Sequence, residues 1–404
     1  MSFQQALSGL NAASRSLDVI GHNIANAGTT GMKSSRAEFA EIYASSAGSI
    51  GGTNVGLGVE VGAVAQQFTQ GTLTITGNDL DVAINGKGFF QVKATDGTTS
   101  YTRAGNFKLD KDGNIVTNNG SAVMGYPTDS AGVRQSFDAQ PLRLPTGTPI
   151  PAKQTTKMSA EITLDASAEI AANAVPPTPL QTYGTSLTAF DPQGLEIPVG
   201  MYFTKTANNT WQVRTSINGS DPAASTPFTV NFLADGSLNP ATPIPALTLA
   251  SPNDPAQTFS VTLDLSKMTQ VNSRFAVADL AQDGYTSGQL TGIKIENTGV
   301  ITATYSNGQT QAAGQVALIS FRNVQGLEPS GSGYWVETFS SGQPVRGAPG
   351  EGTFGKLSAG ALEESNVDLT AELVNMMTTQ RSYQANAQTI KTQDQVMSTL
   401  VNLR

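Results

Sequence analysis

Residues 369–401 read LTAELVNMMTTQRSYQANAQTIKTQDQVMSTLV, and this segment decides how the chain is organised. Apolar side chains recur along it at every seventh position, and two more lie beside that stripe. The set consists of Leu369, Met376, Tyr383, Ile390 and Met397, supported by Leu373 and Val401. A seven-residue apolar repeat is typical of a helix that packs against another helix. The segment therefore predicts a long C-terminal helix with a seam for a helical partner.

The N-terminal residues carry a matching repeat. Its members are Phe3, Leu10, Leu17 and Ile24, with Leu7 and Ile20 on the flanks of the same stripe. We expect one helix over residues 1–27 that ends near Gly28, where glycine can adopt the left-handed cap conformation. Two such helices, one at each end, predict a subunit whose ends pack against each other and against other copies. Helices that lie on a β-domain as ordinary core are the alternative for the same pattern.

Between these helices the apolar period is two, which is typical of strands with one buried face. Gly/Ser-rich residues 44–58 indicate a linker or an extended loop, and a proline cluster between residues 141 and 151 indicates a domain boundary. The predicted fold class is α+β, mainly β, with a coiled-coil-like pair of terminal helices and two β-rich domains. The predicted parts are a helical inner domain (1–30 and 365–404), a linker or extended region (31–70), a first β-domain (71–144 and 285–364) and an outer β-domain inserted into it (145–284).

Composition narrows the class of protein. Charged residues make up only 13% of the chain and the net charge is −8, so we expect no nucleic acid as a partner. The chain has no cysteine, which excludes disulfides and zinc–thiolate sites. No apolar run approaches the ~18 residues that a membrane span requires, so we expect no membrane insertion. No signal peptide is visible at the start, which by itself would indicate the cytosol.

Candidate catalytic and metal-binding motifs are weak. His22, the only histidine, has no second imidazole or cysteine with which to bind zinc. Residues 110–114 (Asp-Lys-Asp-Gly-Asn) begin like a calcium loop but place glycine at the wrong position, so a hairpin turn is preferred. Residues 56–62 miss the spacing of a dinucleotide fingerprint by one, and we interpret them as a loop entering a strand. The carboxylate pairs Asp79/Asp81 and Glu363/Glu364 are expected in solvated turns. We therefore predict no catalytic, metal or cofactor site, and no enzyme.

The two ends resemble a known family. The matching residues at the N-terminal end are 17–26 (LDVIGHNIAN) and 30–33 (TGMK), which contain Asn23, Asn26, Gly31 and Lys33. Those at the C-terminal end are 365–376, 380–386 and 401–404, which contain Gln380, Arg381 and Asn386. With 88–90, 101–107 and 123–126, these motifs resemble the rod and hook axial proteins of bacterial flagella. His22 departs from the family pattern, which usually has asparagine there.

The resemblance implies a structural subunit that polymerises with itself into a hollow tube, with the terminal helices innermost. The inserted β-domain and the length favour the hook branch of the family, whose bendable tube transmits motor torque from rod to filament. The implied partners are the distal rod protein, hook cap and hook–filament junction proteins, and the flagellar type III export apparatus. That export route, which uses no cleaved signal peptide, implies an extracellular location and replaces the expectation of a cytosolic protein.

Mechanically, we expect rigid β-domains that slide past one another as the tube curves, with flexible segments near 28–70 and 355–368. A rigid distal rod subunit is the alternative within the family. A secreted carbohydrate-binding or hydrolytic β-protein is the alternative from another class.

Overall fold

The structure, a computed structural model, describes residues 3–42, 58–172 and 183–402, with side chains as far as residue 399. Helix α1 spans Phe3–Ala25 and helix α2 spans Leu369–Asn402. The prediction of a mainly β chain with a helix at each end is confirmed. One detail at the end of α1 is wrong, because Gly28 does not adopt a left-handed conformation; Gly31 does, with φ +70°.

Strands fill most of the chain between the helices. Numbered along the chain, the first ten are β1 (Ser35–Ile42), β2 (Gly58–Gln66), β3 (Leu73–Ile75), β4 (Val82–Asn85), β5 (Phe89–Lys93), β6 (Thr99–Thr102), β7 (Lys108–Leu109), β8 (Ile115–Val116), β9 (Ala122–Tyr126) and β10 (Gln140–Pro141). The next nine are β11 (Lys157–Asp165), β12 (Tyr183–Phe190), β13 (Glu196–Ala207), β14 (Thr210–Ile217), β15 (Phe228–Asn231), β16 (Leu247–Ala250), β17 (Thr258–Asp264), β18 (Thr269–Val271) and β19 (Ala276–Gln282). The last nine are β20 (Leu290–Ile295), β21 (Val300–Tyr305), β22 (Thr310–Val316), β23 (Leu318–Ser320), β24 (Glu328–Gly331), β25 (Tyr334–Val336), β26 (Val345–Gly347), β27 (Lys356–Ala359) and β28 (Ala361–Glu363).

The chain forms two compact units, which we describe separately. Unit 1 comprises residues 1–147, 292–304 and 310–404, and unit 2 comprises residues 148–291 and 305–309. The finer division that the sequence predicts, into inner, linker and outer parts, stays a prediction. The segment predicted as a linker contains the antiparallel hairpin β1–β2, whereas residues 43–57 lie outside the described residues.

Two hydrophobic clusters hold the β-part of unit 1 together. Because neighbouring residues of a strand point to opposite faces, the adjacent Phe89 and Phe90 of β5 enter different clusters. Phe90 packs edge-on against Phe107, with ring centroids 5.0 Å apart. Phe89 joins an aromatic cluster and lies 5.7 Å from the ring of Trp335. Strand pairs β4–β27 and β3–β28 then connect the start and the end of unit 1.

The described residues of unit 2 form two sheets. One has the order β16-β17-β11-β18, with β19 paired to β11, and the other has the order β12-β13-β14-β15. Buried side chains of both sheets form one cluster, as in a β-sandwich. Strand β11 shows the expected alternation, with Met158, Ile162 and Leu164 fully buried between partly exposed neighbours.

Candidate assembly interface

The two terminal helices lie side by side in unit 1 and run antiparallel. A Cβ atom placed on Gly9 of α1 would lie 2.9 Å from the amide nitrogen of Asn386. Fourteen residues further along α1, the Asn23 amide donates to Glu372 Oε1 at 3.3 Å. Gly9 lies beside Asn386 and Asn23 lies beside Glu372, so α2 runs in the direction opposite to α1. Gly9 allows the close approach at Asn386, because a Cβ atom at this position would require the Asn386 amide to shift.

Helix α1 buries a face of small residues rather than the predicted stripe. Its buried side chains are Ala6, Ala12, Ala13, Ile20 and Asn23. Of the predicted stripe only Ile20 is buried, whereas Leu10, Leu17 and Ile24 are half-buried. Phe3 and Leu7 are 50% and 42% exposed. Helix α1 also contacts the hairpin β1–β2, where the Ser8 hydroxyl accepts from the amide N–H of Val59 at 3.3 Å.

Helix α2 carries apolar side chains that the rest of the described chain leaves largely uncovered. None of its side chains from Leu369 to Thr399 is buried. On the predicted stripe, Leu369, Leu373, Tyr383 and Met397 are exposed and Met376 and Ile390 are half-buried, while the side chain of Val401 lies outside the described residues. Val374, Met377 and Val396 are also about half exposed, and the heptad argument missed them.

Some polar residues of the helical motifs are exposed, and others contact a neighbouring residue. Gln380 and Arg381 have exposed side chains on α2. Asn386 faces Gly9, as described above. Asn26 donates its side-chain N–H to the carbonyl of His22 at 2.9 Å and closes the end of α1. The His22 ring is exposed, and its Nδ1 lies 3.4 Å from the Asn26 amide nitrogen.

A buried ionic cluster, which we call the clasp, lies where the chain leaves α1 and enters α2. It consists of Lys33, Arg103 and Glu363. Lys33 Nζ lies 2.5 Å from Glu363 Oε1, with both side chains fully buried. Arg103 donates to Glu363 Oε2 at 3.1 Å, and its side chain is 6% exposed. The amide N–H of Gly71 donates to Glu363 Oε1 at 3.0 Å. One carboxylate thus holds three separate segments of unit 1 together.

The clasp places two cations around one anion in a site without solvent. Burial lowers the pKa of Lys33 by disfavouring its charged form, against the opposing effect of Glu363. Burial likewise lowers the pKa of Arg103, again opposed by Glu363. Each cation has a further acceptor, because Lys33 also donates to the Thr69 carbonyl at 2.8 Å and Arg103 to the Gly86 carbonyl at 2.8 Å. The buried Nε of Arg103 has no hydrogen-bond partner among the described residues. The guanidinium carbon of Arg103 lies 5.3 Å from the ring centroid of Phe89.

Two asparagines and a glycine reinforce the same junction. Asn23 exchanges two hydrogen bonds of 2.8 Å with the backbone of Ser35, one in each direction. Asn366 accepts from the amide N–H of Ser34 at 2.7 Å and donates to the carbonyl of Gln67 at 2.8 Å. A Cβ atom on Gly31 would lie 2.5 Å from the backbone nitrogen of residue 104. Sequence motifs identified Asn23, Gly31 and Lys33, but only the structure shows their partners.

The clasp corrects one prediction. Glu363 does not lie in a solvated turn, because two cations bury it; its neighbour Glu364 is exposed and accepts from the Thr74 hydroxyl at 2.7 Å. The described parts of the segments predicted to be flexible, near 28–70 and 355–368, carry the hairpin β1–β2, strands β27 and β28, and the buried Lys33 and Glu363. The flexibility of these segments stays a prediction.

The other candidate motifs are structural elements. Residues 110–114 form the turn between β7 and β8, with the Gly113 amide N–H donating to the Asp110 carbonyl at 2.9 Å. Asp79 is exposed as expected, but Asp81 is buried and accepts from the Thr76 hydroxyl at 2.7 Å. Of residues 56–62, the described part from Gly58 belongs to β2.

Beside the end of α1 lies a groove of about 650 Å³, lined by residues such as Asn26, Val64, Phe68, Leu327 and Trp335. Over the described ranges, no cluster of three or more His, Asp or Glu could hold a metal ion. No helix among these residues is both long and apolar enough to cross a membrane.

Four family models match this chain. They are described as flagella basal body rod protein (residues 3–33), flagellar hook protein FlgE/F/G D1 domain (83–171), flagellar basal body protein FlaE D2 domain (163–285) and flagellar basal body rod FlgEFG protein C-terminal (358–403). The matches include α1, the clasp residue Glu363 and α2.

Relatives match over the whole length. The flagellar hook protein FlgE of Salmonella typhimurium is 42% identical over 100% of both chains, and that of Escherichia coli is 43% identical over 100% of both. The FlgE of Treponema pallidum is 34% identical over 100% of this chain and 99% of its own. The crystal structure of Helicobacter pylori flagellar hook protein FlgE2 has a similar fold, with a TM-score of 0.55 and 18% identity over 72% of this chain and 100% of that one. On this full-length similarity, the chain belongs to the flagellar hook protein family.

Proposed function

We propose that this chain polymerises through its terminal helices into a hollow, bendable tube that transmits torque from rod to filament. The family is structural, and its members self-polymerise into the flagellar hook outside the cell. The observation that supports this role for the helices is the uncovered apolar surface of α2. Neither the distal rod subunit nor the secreted carbohydrate-binding protein is supported by the relatives.

Exposed apolar residues on α2 argue for neighbours that cover them. Leu369, Leu373, Val374, Met377 and Met397 are each about half exposed. Complete burial of such a side chain contributes about 1.5–3 kcal/mol, so burial of the exposed half contributes about 1 kcal/mol each. A single antiparallel helix pair cannot cover both faces of α2. In the proposed polymer, helices of adjacent copies cover the second face, which makes the terminal helices an inner wall.

The small residues of α1 fit the same arrangement. Gly9, Ala12 and Ala13 allow helices to pack closely, which suits a crowded wall. The predicted subunit-packing residues of both stripes are proposed to contact adjacent copies, apart from Ile20, which is already buried within the chain. The exposed Gln380 and Asp394 interrupt the stripe where part of the wall faces water or slides.

Bending requires movement between subunits or within them. Because the clasp ties residues near 33, 71, 103 and 363 to one another, we propose that unit 1 moves as a rigid body. As the tube curves, the distance between neighbouring subunits then changes at the contacts between copies and not within unit 1. The distal rod protein, hook cap, hook–filament junction proteins and type III export apparatus are proposed as the other partners.

The test uses two variants of the full chain. Leu373→Gln combined with Met397→Gln keeps helix propensity but removes exposed apolar surface from α2. Thr370→Gln combined with Ser398→Gln is the matched control at exposed polar positions of the same helix. We expect circular dichroism to show folded β-units in both, sedimentation to show polymer only for the control, and micrographs to show curved tubes. Equal polymerisation of the two variants would refute the proposed role of α2, and straight tubes would favour a rod subunit.

A further inference from the structure

We propose that the methionines of α2 form an oxidation-sensitive switch, at which a hydroperoxide converts free copies of the chain into a form that does not assemble. The inference rests on the proposed function, since it requires that α2 contacts adjacent copies. The residues concerned are Met376, Met377 and Met397. Because the chain has no cysteine, their thioether sulfur atoms are the softest oxidisable groups on the described surface.

Exposed methionines are confined to α2 among the described residues. Met377 and Met397 are each 54% exposed, and Met376 is half-buried. Outside α2, no described methionine is more than 8% exposed. An oxidant in solution therefore reaches the sulfur atoms of α2 before the others. The buried methionines are Met32, Met124, Met158, Met201 and Met268, while Met1 lies outside the described residues.

These methionines belong to the apolar surface that the polymer is proposed to cover. Met376 and Met397 are members of the seven-residue repeat, so they lie on one face of the helix. Leu373 lies four residues before Met377, which makes the two side chains neighbours along the helix, and it is 51% exposed. The oxidisable sulfur atoms are therefore part of the surface that binds the adjacent copy.

Methionine suits a contact that changes as the tube curves. Its side chain is unbranched and its sulfur is polarisable, so it repacks readily against a neighbour that shifts. Leucine supplies apolar surface of similar size but has fewer rotatable bonds. Sensitivity to oxidation is the consequence of using methionine at these positions.

Oxidation requires a hydroperoxide and no group of the protein other than sulfur. The sulfur lone pair attacks the terminal peroxide oxygen, an S–O bond forms, and the O–O bond breaks. The attacked hydroxyl loses its proton to the departing oxygen, which leaves as water, or as an alcohol if the oxidant is an alkyl hydroperoxide. Sulfur is oxidised and the peroxide is reduced by the same electron pair, so methionine becomes methionine sulfoxide.

A sulfoxide changes the surface of α2 in two ways. Its oxygen accepts hydrogen bonds, and burying it without a donor is unfavourable. The side chain also becomes polar and loses the apolar character on which the contact depends. The free copy tolerates this change, because on α2 these side chains already face solvent at least in part. Oxidation is therefore expected to weaken assembly and to leave the fold of both units intact.

The first test compares the oxidation of monomer and polymer. The full chain is treated with hydrogen peroxide, digested and mapped by mass spectrometry. In dilute monomer, sulfoxide is expected at Met377 and Met397 before any forms at Met158 or Met201, and in polymer the α2 positions are expected to be protected. Equal rates at buried and α2 methionines overturn the inference. Equal oxidation of α2 in monomer and polymer overturns both the inference and the proposed role of α2.

The second test measures the critical concentration for polymerisation before and after oxidation of the monomer. In the parent chain oxidation is expected to raise it about tenfold or more, which corresponds to about 1.4 kcal/mol, with no change in melting temperature. A variant with Met376→Leu, Met377→Leu and Met397→Leu keeps apolar side chains of similar volume and should assemble equally well before and after treatment. Met158→Leu, at a buried position, is the matched control and should remain as sensitive as the parent.

The outcomes separate the switch from the proposed function. Loss of assembly in the oxidised leucine variant places the damage outside α2 and overturns the inference. Unaltered assembly of the parent after sulfoxide has formed on α2 also overturns it and leaves the proposed function intact. A parent chain that does not polymerise even before oxidation refutes the proposed function itself.

Discussion

Replacement of Glu363 by glutamine tests whether the clasp holds unit 1 together. The glutamine amide can accept from Lys33 or from the Gly71 N–H, but its NH₂ group then faces a donor, and two buried cations lose their counter-charge. Loss of one partner of a buried ion pair costs about 3–5 kcal/mol. Burial already lowers the pKa of Lys33, so this side chain can release its proton and recover part of that cost. We therefore expect Glu363→Gln to lower the free energy of unfolding of unit 1 by about 3 kcal/mol.

Tryptophan fluorescence can follow unit 1 separately in a urea titration. The chain has two tryptophans, and in a Trp211→Phe background Trp335 reports on unit 1 alone. Glu364→Gln is the matched control, because this neighbouring carboxylate is exposed, and we expect a change below about 0.5 kcal/mol. A Lys33→Met, Glu363→Gln double variant should be less destabilised than the sum of its single variants. A loss below about 1 kcal/mol for Glu363→Gln, or strict additivity of the pair, would refute this account of the clasp.

Three further predictions concern the junction beneath the helices and unit 2. Gly31→Ala should destabilise unit 1 by about 2 kcal/mol or more in the same urea titration, because φ is +70° and a Cβ meets backbone atoms 2.5 Å away. Gly28→Ala, where a Cβ meets nothing within 4 Å, should be nearly neutral, and equal losses would contradict the reasoning. Asn23→Ala should cost about 2 kcal/mol and speed hydrogen exchange in α1, because it leaves backbone groups unpaired, whereas Asn26→Ala at a half-buried position should cost less. The reverse order would be inconsistent with the burial of the two side chains. Desolvation opposes ionisation of the Asp283 carboxyl, but hydrogen bonds to its charged form outweigh this effect and lower its pKa from 3.8 to about 2. The carboxylate therefore stabilises unit 2 fully above pH 3.8, and this stabilisation is lost as the pH falls through 2. Asp283→Asn should flatten the acid limb of a stability–pH curve followed by Trp211 fluorescence, and an unchanged limb would exclude this carboxylate as its source.

Local sequence patterns predicted the elements well because such patterns reflect local geometry. The seven-residue repeat located α2 from Leu369, and the period of two predicted the β-rich segment between the helices. The end of α1 was predicted to within a few residues, but the left-handed glycine was assigned to Gly28 instead of Gly31. Both glycines follow the helix, and only the close approach of residue 104 selects the second.

Burial was harder to predict than periodicity. An apolar stripe on a helix shows that some partner covers it, but not whether that partner belongs to the same chain. The structure buries small residues of α1, such as Ala12, and leaves Leu373 and Met397 exposed. The stripe on α2 is therefore available to other copies. The repeat alone could not distinguish such a stripe from one that packs in the core of the same chain.

The sequence by itself determined the helix at each end, the β-rich middle and, through its motifs, the family. These properties follow from residues close together in the chain, whose spacing fixes which side chains share a face. Only the tertiary structure decided the role of Glu363, which sequence reasoning placed in solvent. Its partners Lys33 and Arg103 lie 330 and 260 residues away, and no local pattern encodes a contact across such distances. The pairing arises because the fold brings three segments into one buried site, where each cation requires the same carboxylate.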